Sequence, residues 1–540
     1  MLRFTSLATA VALLSGCVAV TVVESQSSSV QIDTRPDGLS PLPAHQQNSP
    51  WYRDASQRVA AANAGRGAKN VVLFLGDGMG ITTVTAARIL AGQRSGKPGE
   101  ENTLSFESFP VTGLVKTYNV NAQTADSAGT MSAIVTGVKT DIGVFGVDEQ
   151  VEQGNCASGQ GRELLSLLDI AELAGRATGV VSTARLTHAT PGATYAKTAE
   201  RDWEDDSGMP ETARALGCTD VASQFVNYQS RLNRQFGAGA SDGIEVALGG
   251  GRQHFLPESI TGGRRKDSRN LIEDWQKTYP KGSYVSDARS MNRVRSAPLL
   301  GLFDASHMNY ASMRSGPGAE QPSLPAMTLK ALDILEKNDR GFLLVVEAGR
   351  IDHAHHAGNA ANALNETIEL AAAVEAVMRR VDTNDTLVMV TADHSHVMTM
   401  GGYPRRGNPI LGKVIPAWSD EPSLADDGLP YTTLSYANGR GERDYGDEPN
   451  ADTTYAESAN PGRVDISNID TTKMGYHQEA MISLNAETHG GEDVAVYAVG
   501  PGAGAAAGVN EQNLLFHVML SATGWEAEAA ARLVQNGKKP

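Results

Sequence analysis

Short runs of consecutive hydrophobic residues, separated by polar and helix-forming segments, recur along most of the chain. Five of them read NVVLFLGDG, ATGVVSTARLTHA, GFLLVVEAGRIDHA, DTLVMVTADHSH and EDVAVYAVG. Each run is apolar at successive positions and becomes polar at its carboxyl end, a pattern typical of strands buried on both faces. The sequence therefore predicts an α/β fold with a largely parallel central sheet and helices on both faces.

The same pattern divides the chain into segments. Residues 17–50 are rich in Ser, Gln and Pro without periodicity, which predicts a flexible tether. The α/β pattern occupies residues 51–402 and 478–540 and predicts the main domain. Between these two parts, residues 403–477 carry Gly, Pro, Asp, Asn and Tyr with little hydrophobic repetition. We interpret them as an inserted, irregular subdomain.

The amino terminus has the layout of an export signal. In residues 1–16 Arg3 precedes an apolar run and then small residues, and the run is too short for a spanning helix. The sequence LSGC ending at Cys17 resembles the lipobox of bacterial lipoproteins, in which the cysteine is acylated. An ordinary signal peptide with later cleavage is the alternative. We predict an exported protein, periplasmic or in the outer envelope, with a lipid anchor at Cys17.

Charge and cysteine content narrow the possible partners. The chain has 62 acidic and 46 basic residues, a net charge of −16, which argues against a nucleic-acid or anionic-membrane surface. An acidic protein that binds an anion needs local positive charge, and metal ions can supply it. Cys156 and Cys218 form an even pair in an exported chain, which favours a disulfide over two buried thiols. They lack the CxxC spacing of zinc sites.

Histidines are concentrated in two short stretches. Five of the twelve lie in RIDHAHH (350–356) and TADHSHV (391–397). If the first stretch is helical, Asp352 and His356 share one face, whereas His353 and His355 point elsewhere. A carboxylate and an imidazole on one face suit zinc.

Further candidate ligands follow or precede other buried strands. Asp393 and His394 lie at a strand end, and His489 lies in ETHGGED. A lone histidine is more often a surface or satisfied core residue, but clustered Asp and His sets favour Zn²⁺. Asp77 lies between two glycines in LFLGDGMG, which allow the backbone close to a bound group.

Ser127 is a candidate nucleophile in TADSAGTMSAIVTG, where a helix is predicted to begin. The structural alternative is that Asp126 or Ser127 is only an N-cap. A hydroxyl at a helix amino terminus lies in positive potential, which favours its alkoxide and an incoming phosphate. Because the sequence shows no Ser-His-Asp triad, metal activation is the simpler mechanism.

Arg201 lies in the otherwise acidic segment AERDWEDDSGMP. As a surface residue it would pair with Glu204 or Asp205. As a functional residue its planar guanidinium would hold two phosphate oxygens.

Six motifs together resemble one known family. LGDGMG, ADSAGT, THATPGATYA, VEAGRIDHAHH, TADHSH and ETHGGEDVAVYA occur in the order and at roughly the spacing of the alkaline phosphatases, from about residue 50 to about residue 518. The chain is more similar to the animal-type branch than to the enterobacterial form. The resemblance implies broad-specificity hydrolysis of phosphate monoesters through a phosphoserine intermediate, with two Zn²⁺ and one Mg²⁺. It also implies a homodimer, with the helix near Trp51 as a contact.

The resemblance also implies roles for individual residues. It implies a first zinc site of Asp352, His356 and His489, a second of Asp77, Asp393 and His394, and a magnesium site of Asp77, Thr190 and Glu347. Ser127 matches the nucleophile and Arg201 the phosphate clamp. His188 and His353 match positions near the metals and substrate that differ between branches and tune the site. Cys156 and Cys218 match a disulfide of the animal-type enzymes.

Two segments depart from the animal-type pattern. These enzymes carry a further calcium site; GLFDASHMNY keeps Phe303 and Asp304, but Gln321 replaces the later acid. A fourth metal is therefore not predicted. Residues 403–477 occupy the place of the crown domain, yet their sequence diverges, so crown-related binding is not predicted.

Other functions remain to be distinguished. A sulfatase would need a Cys or Ser in a C-x-P-x-R-like context, and DSAGTMSA has neither Pro nor Arg. A phosphodiesterase of the same superfamily stays open, because it differs in the leaving group and the pocket size. A zinc-storing surface lipoprotein would keep the histidines but would not need both Ser127 and Arg201.

Overall fold

The computed structural model describes residues 40–314, 320–456, 458–460, 462–535 and 537. The predicted export signal, Cys17 and most of the predicted tether lie outside the described residues. Among the helices that are described, none is both long enough and apolar enough to cross a membrane.

Helices and strands alternate along the described chain. The strands are β1 Asn70–Gly76, β2 Val111–Lys116, β3 Ala177–Arg185, β4 Val246–Gly250, β5 Ser283–Val285, β6 Leu299–Leu302, β7 Phe342–Ala348, β8 Thr386–Ala392, β9 Ser395–His396, β10 Met398–Met400, β11 Leu434–Gly439, β12 Arg443–Asp444, β13 Tyr476–His477, β14 Ala480–Ser483, β15 His489–Gly490, β16 Val494–Val499 and β17 Gly508–Glu511. The helices are α1 Ala44–Asn48, α2 Pro50–Ala62, α3 Ile81–Arg94, α4 Ser127–Thr136, α5 Leu167–Leu173, α6 Ala189–Tyr195, α7 Glu211–Ala215, α8 Val221–Val226, α9 Tyr228–Phe236, α10 Leu271–Thr278, α11 Ala288–Arg293, α12 Ala311–Arg314, α13 Leu324–Leu335, α14 Arg350–His356, α15 Ala360–Met378, α16 Leu514–Thr523 and α17 Trp525–Gln535.

A ten-stranded sheet forms the centre of the fold, in the order β17-β2-β16-β8-β1-β7-β3-β4-β6-β5. Within the run from β8 to β5, each pair of adjacent strands is parallel. Helices α13 and α15 pack together and against β7, and a second group that includes α5 and α6 also contacts β7. The predicted α/β fold with a largely parallel sheet is confirmed.

The central strands are apolar because both of their faces are covered. Every residue of β1, β7 and β8 is buried. The prediction of burial on both faces is wrong for β16, in which buried and half-buried positions alternate. That strand runs antiparallel to β8 and β2, and such strands commonly bury only one face.

The prediction of a flexible tether is wrong for residues 40–50, which are folded. They include α1 and the start of α2, and Leu42 is buried. The buried amide of Gln46 donates to the carbonyl oxygens of Thr136 and Leu165 at 2.8 and 2.9 Å and accepts from the Leu165 N–H at 2.9 Å. A polar side chain with all its hydrogen bonds made can be buried at little cost in free energy. A segment rich in polar residues can therefore be folded, and composition alone did not predict this.

The predicted insertion contains short strands joined by irregular segments. Strand β11 lies within residues 403–477 and pairs with β10 and β14, which flank them. A second small sheet joins β12 and β13. The two strands that flank the insertion therefore belong to the same small sheet as β11, and this sheet is separate from the ten-stranded sheet.

Candidate active site

The candidate residues converge at the carboxyl ends of three neighbouring strands. Asp77 directly follows β1, Asp393 directly follows β8, and Glu347 lies near the end of β7. Asp352 lies in α14, which begins two residues after β7. Ligands in open parallel sheets gather at this edge, as the sequence predicted.

The first predicted zinc set is assembled around one carboxylate oxygen. Asp352 Oδ1 lies 3.4 Å from His356 Nε2 and 3.3 Å from His489 Nε2. The two imidazole Nε2 atoms lie 3.1 Å apart. The predicted helical face is confirmed, because α14 spans residues 350–356 and brings Asp352 and His356 together.

The second predicted zinc set lies beside the first. His394 Nε2 is 3.4 Å from Asp77 Oδ1 and 3.4 Å from Asp393 Oδ2. The other oxygen of Asp393 accepts the Gly78 N–H at 3.0 Å. All of these side chains are buried.

The magnesium set lies on the other side of Asp77. Ligand atoms of Asp77, Glu347 and His188 lie within 4.8 Å of one another. Asp77 Oδ2, Glu347 Oε1 and Thr190 Oγ1 are buried and have no hydrogen-bond partner of normal geometry among the described residues. Buried oxygens of this kind fit a hard cation such as Mg²⁺.

The charges of the cluster also indicate bound cations. Burial raises the pKa of Asp77 well above its usual range, and the carboxylates of Asp393 and Asp352 raise it further. Burial and Asp393 likewise raise the pKa of Glu347 to about 8. Buried carboxylates this close together are costly unless cations compensate them. The residues present therefore fit the metals that the sequence implied.

Ser127 is the first residue of α4, and its hydroxyl points into the cluster. Its Oγ lies 3.3 Å from Asp77 Oδ1 and 3.1 Å from His394 Nε2. Asp126 is the N-cap, because its Oδ1 accepts the Gly129 N–H at 3.1 Å. The Ser127 hydroxyl is therefore not used for capping, and it lies next to two predicted zinc ligands.

Arg201 points toward Ser127's helix and does not pair with the acids of its own segment. Its Nη1 donates to Asp126 Oδ2 at 3.0 Å, and its Nη2 lies 3.3 Å from His188 Nε2. Glu204 binds Arg185, and Asp205 binds His254. The surface-pairing alternative for Arg201 is therefore wrong.

Three histidines lie side by side next to this arginine. The ring centroids of His353 and His188 are 5.4 Å apart, and the His307 ring lies 3.9 Å from His353. Burial and the charge of Arg201 lower the pKa of His188 to about 3, so its imidazole is neutral. His307 was not singled out from the sequence.

The sequence analysis also missed His396 and Glu487. His396 Nε2 lies 2.7 Å from Asp352 Oδ1, and its Nδ1 lies 2.6 Å from Glu487 Oε2. Burial opposes protonation of His396, but the two carboxylates prevail and raise its pKa to about 10. With a carboxylate at each nitrogen, His396 fits the role of positioning Asp352. His396 lies in the motif TADHSH, but the spacing of that motif does not show whether the histidine positions Asp352 or binds a metal itself.

The glycine after Asp77 is required by the same histidine. Gly78 has a φ of +67°, and a Cβ there would lie 2.3 Å from the nearest carbon of the His396 ring. Any larger residue would displace the ring that holds Asp352.

The predicted disulfide is confirmed. Cys156 is bonded to Cys218 and lies in a small hydrophobic cluster with Trp203 and Met209. This cluster contains Ala199 and Trp203, which bracket Arg201 in the chain. The disulfide therefore stabilises the segment that carries the predicted phosphate clamp.

The carboxylate of Asp304 is bonded within the protein. Its Oδ2 accepts from Gln321 Nε2 at 2.7 Å and its Oδ1 from the Ser306 N–H at 3.1 Å. Gln321 Oε1 also accepts the Asn309 N–H at 2.8 Å. Gln321 thus bridges two parts of the chain at the position where the sequence departs from the animal-type pattern.

Buried carboxylates and imidazoles gathered at one edge of a parallel sheet are typical of metal-dependent hydrolases. The sequence profile of the alkaline phosphatase family matches residues 68–525. The chain belongs to the alkaline phosphatase family and is a hydrolase.

Individual relatives agree with this assignment. The chain is 43% identical over 468 residues to the tissue-nonspecific alkaline phosphatase of Gallus gallus, covering 84% of each protein. It is 41% identical over 469 residues to the alkaline phosphatase of Gadus morhua, covering 84% of this chain and 91% of that one. The fold is similar to that of the Thermus thermophilus alkaline phosphatase, with a TM-score of 0.61, 23% identity, and coverage of 92% and 99%.

Proposed function

We propose that this alkaline phosphatase hydrolyses a broad range of phosphate monoesters with two zinc ions, one magnesium ion and Ser127 as nucleophile. One observation carries the proposal: the Ser127 hydroxyl lies 3.3 Å from Asp77 and 3.1 Å from His394, at the amino terminus of a helix. Storage of zinc would not require a serine at that place.

The proposed ligands divide into three metal sites. Asp352, His356 and His489 would hold one zinc, Asp393 and His394 the other, and Glu347 and Thr190 the magnesium, with Asp77 between the last two sites. When bound, these ions supply Lewis-acid charge that favours the serine alkoxide and offsets charge on the phosphate. Two mutants of the TAB5 alkaline phosphatase, a bacterial relative in fold, were solved with Mg bound in a site termed M3.

The chain's own groups position and receive the phosphoryl group. Arg201, fixed by Asp126, presents its guanidinium fork to two phosphate oxygens. Ser127 Oγ attacks phosphorus as the ester oxygen leaves with a proton, which forms phosphoserine and an alcohol. Water then attacks the phosphoserine: its oxygen bonds to phosphorus, one of its protons goes to Ser127 Oγ as the serine leaves, and phosphate is released. The amino terminus of α4 stabilises negative charge in both steps.

Hydrolysis of an aryl phosphate at alkaline pH tests this mechanism. Activity should disappear with EDTA, return with zinc plus magnesium, and fall at least about 10³-fold in metal-loaded Ser127→Ala. The exposed Ser95→Ala is the matched control and should keep full activity. Faster cleavage of an aryl phosphodiester would favour the phosphodiesterase alternative. A protein that holds zinc but releases no phosphate would support the storage alternative.

We also propose a homodimer, supported by the distribution of exposed apolar side chains. The four most exposed large hydrophobic side chains among the described residues are Tyr403, Trp418, Leu424 and Met481, at 62–80% exposure. All four belong to the insertion or the strand that follows it, and exposed apolar surface of this kind marks association sites. Trp51, by contrast, packs edge-to-face on Tyr118 within its own chain.

Light scattering tests the dimer directly. The wild type should have twice the monomer mass, and Trp418→Ser combined with Met481→Ser should shift it toward the monomer. A monomeric wild type at micromolar concentration would contradict the proposal.

Export and lipid anchoring are also proposed, on the composition of residues 1–17. The mature protein should begin at an acylated Cys17 in the periplasm or outer envelope. Mass spectrometry of the amino-terminal peptide tests this, and Cys17→Ala should release the protein from membranes. An unmodified amino terminus beyond residue 17 would support ordinary signal cleavage instead.

A further inference from the structure

His355 has no place in the mechanism, although it lies between two predicted zinc ligands on α14. It is buried, and its ring stacks on that of His396, with the two centroids 4.8 Å apart. Its Nδ1 lies 2.8 Å from the hydroxyl of Tyr436, and its Nε2 lies 3.0 Å from Thr83 Oγ1. With both nitrogens bonded to hydroxyl groups, this imidazole connects α14 to Tyr436 of strand β11, inside the insertion.

A second contact joins the insertion to the first turn of α14. Arg350 is buried, and its Nη2 donates to Asp452 Oδ2 at 2.6 Å. The Tyr310 ring lies 3.9 Å from the Arg350 guanidinium, and the Tyr310 hydroxyl donates to Asp452 Oδ1 at 3.0 Å. Asp452 therefore forms an ion pair with Arg350 and also holds the Tyr310 ring that stacks on the Arg350 guanidinium.

The end of the insertion also contacts the chain just after α14. His477 Nδ1 lies 2.7 Å from the carbonyl oxygen of Ala357, and Gln478, the residue that follows the insertion, accepts the Ala360 N–H through its Oε1 at 2.7 Å. The two-turn helix is thus contacted by the insertion in its first turn, in its last turn and at the chain that leaves it.

These contacts are important because α14 cannot define its own orientation. It has only seven residues, and an isolated helix of that length is not stable in water. Asp352 and His356 lie one turn apart on it, so a small rotation would move both ligand atoms together. Metal sites need ligand distances correct to about 0.2 Å.

We infer that the insertion, residues 403–477, positions the metal-ligand helix α14, with Tyr436 and Asp452 as the positioning residues. The inference rests on the proposed zinc site. It assigns the insertion a role in retaining the zinc held by Asp352, His356 and His489. Neither Tyr436 nor Asp452 offers a ligand atom, so their effect on zinc passes through the helix.

The experiment uses Tyr436→Phe, Asp452→Asn and the double variant, each as zinc-loaded full-length protein. The first removes one hydroxyl, and the second keeps an acceptor while removing the charge that faces Arg350. Ser467→Ala and Asp420→Asn are matched controls in the same insertion, because both residues are exposed. The first removes an exposed hydroxyl, and the second removes a charge whose ion pair among the described residues is with surface Arg405. The measurement is the rate of zinc transfer to a chromophoric chelator, together with thermal unfolding with and without zinc.

We expect each single variant to lose zinc about 3- to 10-fold faster than wild type, and the double variant faster still. This is below the roughly 10- to 100-fold effect typical of partners bonded directly to a ligand. Both controls should match wild type. The gain in melting temperature on zinc binding should shrink in the variants, whereas a merely structural role would lower the melting temperature equally with and without zinc.

Two results would overturn the inference in different ways. Zinc release within twofold of wild type in the double variant would show that the insertion does not position α14, while the zinc site itself stands. A wild-type protein that retains no zinc would contradict the proposed function and remove the basis of the inference.

Discussion

Among single side chains, Glu487 is the one whose importance the sequence conceals most. It is buried, faces His396, and accepts the Val397 N–H at 2.8 Å, while its carbonyl oxygen lies 2.6 Å from His356 Nδ1. One residue thus supports both Asp352, through His396, and His356 directly. Of the groups that raise the pKa of His396, the Glu487 carboxylate makes the largest contribution.

Glu487→Gln should therefore weaken zinc binding without removing a ligand. Glutamine keeps the size and the acceptor for Val397, but it no longer offers a charge to His396. We expect zinc affinity to fall about 10-fold, measured by competition with a chelator of known affinity. Glu375→Gln, on an exposed helical surface, is the matched control. Unchanged affinity would show that Asp352 needs no charged support.

The sequence predicted the position of those site residues that lie next to a recognisable strand in the chain. Asp77, Asp352 and Asp393 could be predicted because each follows a buried strand, and parallel strands bring their ends together. His396 and Glu487 could not, because their role depends on a contact across 91 positions of the chain. Imidazole and carboxylate groups serve both as metal ligands and as hydrogen-bond partners of ligands, and only the fold shows which of the two roles each residue has.

Among elements, the segment that carries Arg201 depends on the disulfide. Cys156 and Cys218 are 62 positions apart, a loop whose closure is worth about 4 kcal/mol in the chain-entropy description. The double variant Cys156→Ser/Cys218→Ser should lower the unfolding free energy by about that amount, measured by urea denaturation. KM should rise more than kcat falls, because Arg201 loses support while Ser127 does not. Stability equal to wild type would contradict this prediction.

Strand prediction succeeded where hydrophobic runs were long and failed where they were short. Strands β1, β7 and β8 have seven residues each and are buried throughout. Strands β4, β5 and β6 have five, three and four residues, and runs of that length cannot be told from buried loops by pattern. Their place in the sheet follows from the pairing of β4 with β3, of β6 with β4 and of β5 with β6, which only the structure shows.

For the whole molecule, acid stability should depend on one histidine remote from the predicted ligands. His517 in α16 is buried, its ring lies 4.3 Å from that of Tyr52, and its Nε2 has no hydrogen-bond partner among the described residues. Burial lowers the pKa of His517 to about 3, from an ordinary value of 6.5. The folded protein therefore keeps this imidazole neutral in a range where the unfolded chain takes up a proton.

The direction of the pH dependence follows from these two values. Between pH 6.5 and 3 the unfolded chain binds more protons at this site, so stability that is present above pH 6.5 is lost as the pH falls. The loss between pH 6.5 and 5 is about 2 kcal/mol. His517→Gln should remove this contribution, so urea unfolding at both pH values should show a smaller loss in the variant than in wild type. Metal release in acid affects both proteins and cancels in the comparison. Equal losses would mean that His517 is protonated in the folded protein, and that the helix around it opens to admit the charge.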